Sequence, residues 1–250
     1  MPLLGIESSS HAFDSIPSLF FSPNREFSIT TSRPAQRLRT DDPRFTAYQY
    51  QSSIAPCGLS PEQSSQRLAS ALGTGGIVAA ILDPVAPEWR DRLVQNRVLV
   101  VVDDFGDNRE VFSSFYARAA GPETLRILAL DCARENRREW AALLVHEMVH
   151  ALLDGAHYPA WIEEGLAQVL EAQAGGSHPE RSLSANTEEL RLDRFTLERR
   201  APLRSSAAYA RSYLAARQLF EARGRFDWVR RLILHREEPG DLSPFARSEI

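Results

Sequence analysis

Lysine is absent from this chain of 250 residues, so every basic side chain other than histidine is an arginine. This absence excludes any reaction that proceeds through a lysine Schiff base. Only two cysteines occur, Cys57 and Cys132, which are too few for a disulfide scaffold or a thiolate metal site. Cys132 follows an apolar run and is expected to be buried, and a disulfide with Cys57 remains open.

Long apolar runs are missing as well. No stretch approaches the roughly 20 apolar residues of a membrane span. The N-terminus also lacks the basic start and apolar run of a signal peptide. We therefore expect no membrane span and a cytoplasmic protein. The formal net charge of −4 gives no reason to expect nucleic acid as a partner.

The expected order of elements is strands first and helices later. Residues 1–56 are rich in Ser, Pro, Arg and Thr, and we expect an extended or partly disordered arm there. A pro-segment and a strand-forming extension are the alternatives. Residues 57–250 are expected to form the folded domain, with a sheet part at about 75–131 and a helical part at about 135–250. This layout is α+β, a small mixed sheet followed by a mainly helical C-terminal part.

Capping and turn residues indicate where individual elements begin and end. Ser60 followed by Pro61 predicts a helix start, because Ser is a common N-cap and Pro fits the first helical position. That helix is expected to end at the glycine-rich residues 73–76. Strands are predicted at 97–102 and 125–130, and 77–82 is either a strand or a buried helix. Further helices are predicted at 87–96, 109–119, 137–153, 159–174, 188–199, 206–223 and 226–235.

The sequence His146-Glu147-Met148-Val149-His150 lies inside the predicted helix 137–153. Two histidines four residues apart lie one turn apart on one face, so both imidazoles can reach one ion at ~2.0–2.1 Å. Glu147 lies about 100° round the helix from His146, where it reaches a water on the metal more easily than the metal itself. The spacing is typical of a general base beside a Lewis acid.

A catalytic zinc needs a third protein ligand and an open fourth position. The predicted helix 159–174 follows after a short loop and carries Glu163 and Glu164, and periodicity alone does not decide between them. An isolated HExxH string also occurs by chance in buried helices. Here it coincides with an apolar helix, a glycine-closed turn and an acidic residue on the returning helix, which favours a metal site.

The sequence HEMVH followed by Pro-Ala-Trp-Ile-Glu-Glu-Gly-Leu-Ala resembles the gluzincin metallopeptidases, in particular the small peptidase-MA-like proteins. The resemblance covers about residues 95–235. It implies a zincin-like catalytic domain that binds one Zn²⁺ and hydrolyses peptide bonds in a peptide or protein substrate. In the family the Glu before Gly is the third ligand, which corresponds to Glu164, and the Glu of HExxH, here Glu147, is the general base.

Other residues are expected to support such a site. Glu171 shares a helix face with Glu164 and either hydrogen-bonds a ligand histidine or is a solvated surface residue. Tyr209 opens a Tyr-x-x-Ser helix that resembles the family's helix whose Tyr stabilises the oxyanion. The alternative is that Tyr209 and Tyr213 belong to a core stripe. In zincins the strand before the active-site helix, here 125–130, lines the cleft as a sheet edge.

Three alternatives to a metallopeptidase stay open. A zinc hydrolase of a non-peptide amide or ester would have the same site. A non-catalytic gluzincin-fold binding protein would hold the metal as a structural element, but a structural site has no need of Glu147. A latent enzyme would have residues 1–56 in its cleft. The Gly-x-Met-Glu-Asn stretch of the family's aminopeptidases is missing, so an aminopeptidase is not indicated.

Overall fold

The computed structural model describes residues 15–21, 27–42, 45–50, 58–95, 98–103, 114–119, 125–132, 137–154, 156, 158–175, 206–237 and 239. Within these residues the strands are β1 (Ser15–Phe21), β2 (Phe27–Leu38), β3 (Thr46–Tyr50), β4 (Val98–Asp103), β5 (Ser114–Ala119) and β6 (Leu125–Asp131). The α-helices are α1 (Pro61–Leu72), α2 (Ile77–Leu82), α3 (Trp89–Gln95), α4 (Arg137–Leu153), α5 (Ala160–Gln173), α6 (Ser206–Ala222) and α7 (Phe226–Arg230). A π-helical turn, Arg231–His235, follows α7.

The strands form one mixed sheet in the order β1-β2-β3-β4-β6-β5. The pairs β3–β4 and β4–β6 are parallel, and the other pairs are antiparallel. Strand β4 lies inside the sheet with parallel neighbours, and its continuous run of apolar residues is buried on both faces, as is typical of such strands. The mixed α+β class predicted from the sequence is confirmed.

The N-terminal segment contributes strands to this sheet. Strand β3 lies between β2 and β4, and its residues Ala47 and Tyr48 are buried. For these stretches the structure shows the strand-forming alternative to a disordered arm. The sheet therefore begins earlier than the predicted 75–131. The sequence lacks the long apolar alternation that would have identified these strands.

Several predicted helix boundaries are confirmed. The side chain of Ser60 accepts a hydrogen bond from the amide of Gln63, and the side chain of Gln63 accepts one from the amide of Ser60. This capping box starts α1, which ends before Gly73 as expected. Residues 77–82 are the buried helix of the two alternatives. The predicted helix 188–199 lies outside the described residues.

The prediction of a helix at 109–119 is wrong for its described part. Residues 114–119 form β5, which pairs antiparallel with β6 from Ser114 opposite Leu130 to Ala119 opposite Leu125. The prediction of 125–130 as the edge strand is also wrong, since β6 lies between β4 and β5. The paired runs are separated by a short segment with Gly121 and Pro122, a hairpin signal that the helical interpretation overlooked.

Helix α4 lies at the centre of the molecule. It contacts β5 and β6 on one side and α1, α2, α3 and α5 on the others. Trp140, Leu144 and Met148 are fully buried, and a helix that is apolar all round is expected to be enclosed in this way. The polar residues of its HExxH sequence are therefore held by a rigid, well-packed helix.

Cys132 follows β6 directly and is 2% exposed, so its predicted burial is confirmed. It is also part of a disulfide. The chain has only one other cysteine, Cys57, which lies outside the described residues. As to membranes, the helices described here include none that combines the length and the apolar character needed to cross one.

Candidate metal centre

Helix α4 brings two imidazoles to one point. The Nε2 atoms of His146 and His150 lie 3.3 Å apart, one helical turn from each other. Their side chains keep 15% and 14% of their surface exposed. The pair is therefore held in the core on one side and reachable from solvent on the other, as a catalytic metal with an open position requires.

Glu164 on α5 completes a triangle with the two histidines. Its Oε2 lies 3.7 Å from Nε2 of His146 and 3.7 Å from Nε2 of His150. Ligands at ~2.0–2.2 Å from a tetrahedral zinc are about 3.3–3.6 Å from one another. The three atoms are thus spaced as one ion would hold them, and these residues fit a zinc site.

The position of α5 is fixed by contacts at its N-terminus and along the face that carries Gly165. Pro159 is the N-cap of α5, and the hydroxyl of Tyr158 just before it lies 3.1 and 2.7 Å from the carbonyl oxygens of Leu232 and Glu237. On the other side, Gly165 lies directly against α6. These contacts fix the helix that carries Glu164 and explain why a glycine follows that residue.

Glu171 lies two turns further along α5 and contacts the remaining nitrogen of His146. The Nδ1 of His146 is 2.9 Å from Oε2 of Glu171. A carboxylate in this position accepts a hydrogen bond from Nδ1–H, which leaves Nε2 free to bind a metal. Of the two sequence interpretations of Glu171, the structure contains the contact with His146 and not a solvated surface residue.

Glu147 lies beside the histidines and contacts a different partner. Its side chain is 3% exposed, and its Oε1 accepts a hydrogen bond of 2.6 Å from the hydroxyl of Ser114 on β5. The possible ligand atoms of His146, Glu147 and His150 all lie within 4.8 Å of one another. The oxygen of Glu164, by comparison, is equidistant from both Nε2 atoms, at a separation close to that between two ligands of one ion.

The electrostatics of the cluster favour protons on the imidazoles. Burial lowers the pKa of His146, but hydrogen bonds with Glu164 and Glu171 raise it well above its usual value. Burial likewise lowers the pKa of His150, and Glu164 outweighs it so that the pKa is raised. Burial would raise the pKa of Glu164, yet the two imidazoles lower it strongly. A metal ion would displace these protons and take over their stabilising role.

The pKa values of two neighbouring carboxyl groups, those of Glu147 and Glu163, shift in the opposite direction to that of Glu164. Burial raises the pKa of Glu147, although the charges of His146 and His150 and the hydrogen bond from Ser114 oppose it. Burial also raises the pKa of Glu163 to about 6, against the charge of His150. A raised pKa is typical of a carboxylate that exchanges protons near neutral pH.

The remaining candidates lie at different places. Tyr209 is half-buried near the start of α6, and Tyr213 one turn later is 3% exposed within the core. Tyr213 therefore belongs to the core stripe, whereas the role of Tyr209 stays a prediction. A cavity of about 800 Å³ lies elsewhere, lined by Asp41, Asp42 and residues 73–76. Asp42 is paired there with Arg90, and no imidazole lines the cavity.

Ser114 is the site residue that the sequence did not reveal. The sequence favours a helix over 109–119, and a helix there gives no reason to place the hydroxyl of Ser114 beside Glu147. A strand that begins next to the helix with the HExxH sequence would have been the signal, but it depends on recognising the β5–β6 hairpin first.

Comparison of the chain with models of protein families, with curated proteins and with solved structures gives no significant match. The residue pattern and the geometry around His146 and His150 are therefore the basis for a functional proposal.

Proposed function

We propose that the protein is a zinc-dependent metallopeptidase of the gluzincin type with a zincin-like catalytic domain. One observation carries the proposal: atoms of His146, His150 and Glu164 surround one point at separations of 3.3, 3.7 and 3.7 Å, while Glu147 lies beside them. A structural metal site needs no further carboxylate next to its ligands. The presence of Glu147 therefore supports catalysis over simple metal storage or scaffolding.

His146, His150 and Glu164 would hold the ion, and Glu171 would orient His146 through Nδ1. A zinc ion in this place would supply a Lewis acid that makes water a nucleophile near neutral pH. Glu147 accepts the proton of the attacking water and delivers it to the leaving amine. Its burial and raised pKa suit this two-way exchange, because a strongly acidic carboxylate would be a weak base.

The position of β5 supports a peptide as the substrate. It is the last strand in the sheet order, and its first residue, Ser114, contacts the proposed base. An extended peptide that forms main-chain hydrogen bonds with this edge strand would pass beside Glu147. A hydrolase of a non-peptide amide or ester would share the polar site, and substrate profiling separates the two.

The test combines metal analysis with a digest of a broad peptide library by the full chain. The protein is expected to bind one zinc per chain and to cleave peptides, and removal of zinc by a chelator should abolish cleavage. Glu147→Gln is nearly isosteric and should keep the zinc while losing hydrolysis. Wild-type turnover by this variant would refute the role of Glu147, and zinc binding without cleavage of any amide or ester would favour a binding protein.

The alternative of a latent enzyme, with residues 1–56 in its cleft, must be tested by a deletion that leaves the interior strands of the sheet intact. Strand β2 contacts β5, so this N-terminal strand lies near the proposed substrate edge. Removing residues 1–56 would delete β3, an interior strand of the sheet, and we expect this deletion to destabilise the fold. A deletion that ends before β2 is therefore the appropriate variant, and faster turnover after this deletion would support latency.

A further inference from the structure

We infer that Ser114 is a positioning residue whose hydroxyl keeps Glu147 out of the coordination sphere of the metal, so that Glu147 acts as a base and not as a ligand. This inference rests on the proposed function, because it concerns how one carboxylate of that site acquires its role. Two carboxylates, Glu147 and Glu164, adjoin the same histidine pair, and only one of them is to bind the ion.

Glu147 is close enough to the histidines to compete for the ion. Its ligand atom lies within 4.8 Å of those of His146 and His150. Two ligands of one zinc are about 3.3–3.6 Å apart, and a modest rotation of a glutamate side chain covers the difference. Carboxylates are good zinc ligands, so the helical offset of about 100° does not by itself keep Glu147 away.

The hydroxyl of Ser114 opposes this rotation. It donates to Oε1 of Glu147 at 2.6 Å, a length typical of a hydrogen bond to a charged carboxylate. Ser114 is paired with Leu130 of β6, so its backbone is held by the sheet. The donor therefore stays in place when the glutamate is pulled towards the cation.

Without the Ser114 hydroxyl, the carboxylate of Glu147 loses this hydrogen bond, and rotation towards the metal becomes favourable. Its side chain is 3% exposed, so bulk water does not replace the hydroxyl. A buried carboxylate without a partner carries a large desolvation penalty, which binding to the cation relieves. Removal of the hydroxyl should thus convert a base into an additional metal ligand, with tighter metal binding and slower chemistry as the joint result.

The experiment uses the full chain with Co²⁺ in place of zinc, since the visible spectrum of Co²⁺ reports the number and kind of its ligands. Four single variants and one double variant are compared with the wild type. Ser114→Ala removes the hydroxyl, and Ser114→Thr retains one. Ser114→Val matches Thr in shape without the hydroxyl, so the Thr and Val pair separates hydrogen bonding from packing. Ser65→Ala is the control. It also removes a serine hydroxyl, but this hydroxyl accepts a hydrogen bond from the amide of Arg39, which is not a residue of the metal site.

The wild type, Ser114→Thr and Ser65→Ala should share one Co²⁺ spectrum and one affinity. Ser114→Ala and Ser114→Val should show a changed spectrum and tighter binding, and adding Glu147→Gln to Ser114→Ala should restore the wild-type spectrum. In peptide hydrolysis, Ser114→Ala should lower kcat about 10- to 100-fold with little change in KM, part of the ~10²–10⁴ that a general base contributes.

Identical Co²⁺ spectra and affinities in the wild type, Ser114→Ala and Ser114→Val would overturn the inference. A wild type that binds Co²⁺ but hydrolyses nothing would refute the proposed function alone, since the spectra still report the effect of Ser114. A chain that binds no Co²⁺ would refute both.

Discussion

Gly165 on α5 lies against the backbone of Ser212 on α6, so closely that a Cβ at position 165 would stand 2.4 Å from the carbonyl oxygen of Ser212. The same Cβ would meet the side chain of Ala216 at 2.6 Å. Since the nearest atom belongs to helix backbone, neither helix can relax by a change of rotamer. The contact sets the distance between the two helices next to Glu164.

We expect Gly165→Ala to destabilise the protein and to weaken metal binding together. Overpacking of this kind typically costs ~1–3 kcal/mol, whereas alanine gains only ~1 kcal/mol of helix propensity. Thermal unfolding and zinc affinity measure the two effects. Gly58→Ala is the control, because nothing lies within 4 Å of a Cβ there. Equal stability of the two variants would contradict the packing role.

The assignment of the third ligand predicts a difference between adjacent glutamates. His146→Ala, His150→Ala and Glu164→Ala should each lose most of the zinc, because each removes one corner of the triangle. Glu163→Ala should retain it and serves as the matched control on the same helix turn. Metal analysis after dialysis decides the matter. Full zinc in Glu164→Ala with loss in Glu163→Ala would show that the assignment is wrong.

Removal of the Glu171 carboxylate, which contacts Nδ1 of His146, should weaken zinc binding without abolishing it. Glu171→Gln keeps the shape of the side chain but lowers the basicity of the imidazole that it orients. Such outer contacts typically contribute 10–100-fold to metal affinity. Competition with a chelator of known affinity measures this change. An unchanged zinc affinity would mean that the contact of 2.9 Å with Nδ1 does not tune the metal.

Tyr209 is expected to stabilise the oxyanion of the transition state. Tyr209→Phe should then lower kcat by ~10²–10³ while zinc content and unfolding temperature stay unchanged. Tyr213→Phe is the control from the next turn of α6, since Tyr213 is buried in the core. Comparable kcat values for the two variants would assign the oxyanion to the metal alone.

The stability of the metal-free protein should decrease as the pH rises. Folding raises the pKa values of His146 and His150 and that of Glu163, so the folded state binds more protons than the unfolded chain. This stabilisation is complete below the usual pKa values and is lost as the pH rises through the raised ones. The lowered pKa of Glu164 has the opposite effect: its stabilisation is complete at neutral pH and is lost only when the pH becomes strongly acidic, so it does not change over this range.

Denaturant unfolding after chelation, at about pH 6 and about pH 8.5, measures this dependence. The zinc-loaded protein is the comparison, because metal binding releases the same protons and gains affinity as the pH rises. The stabilisation by zinc should therefore be larger at the higher pH. A metal-free protein that becomes more stable over this interval would contradict the proposed charge states.

The sequence predicted the helices of the site correctly, but it predicted the sheet beside them less well. Helix α4 was predicted with both of its ends, because a long apolar segment that is followed by a glycine stop marks a helix clearly. Strand β5 was mistaken for helix, since six residues with two aromatics fit either period and only the pairing with β6 decides. Ser114 was lost with that strand.

The choice between Glu163 and Glu164 shows a second limit. Both are on the returning helix, and their separation by one residue is smaller than the uncertainty in how two helices turn against each other. The close contact of Gly165 with α6 sets that rotation, and it brings Glu164 to the histidines. Such a contact depends on a helix more than forty residues later, which local patterns do not encode.

The disulfide of Cys132 depends on whether the surroundings of the protein are oxidising or reducing. It lies at the end of β6, shortly before the helix that carries both histidines. Disulfides persist where thiols are oxidised, whereas cytosolic glutathione and thioredoxin reduce them, so this bond weighs against the expected cytoplasmic location. A sample prepared in a reducing cytosol would begin without this covalent tie, and its unfolding temperature would record the oxidation history of the preparation.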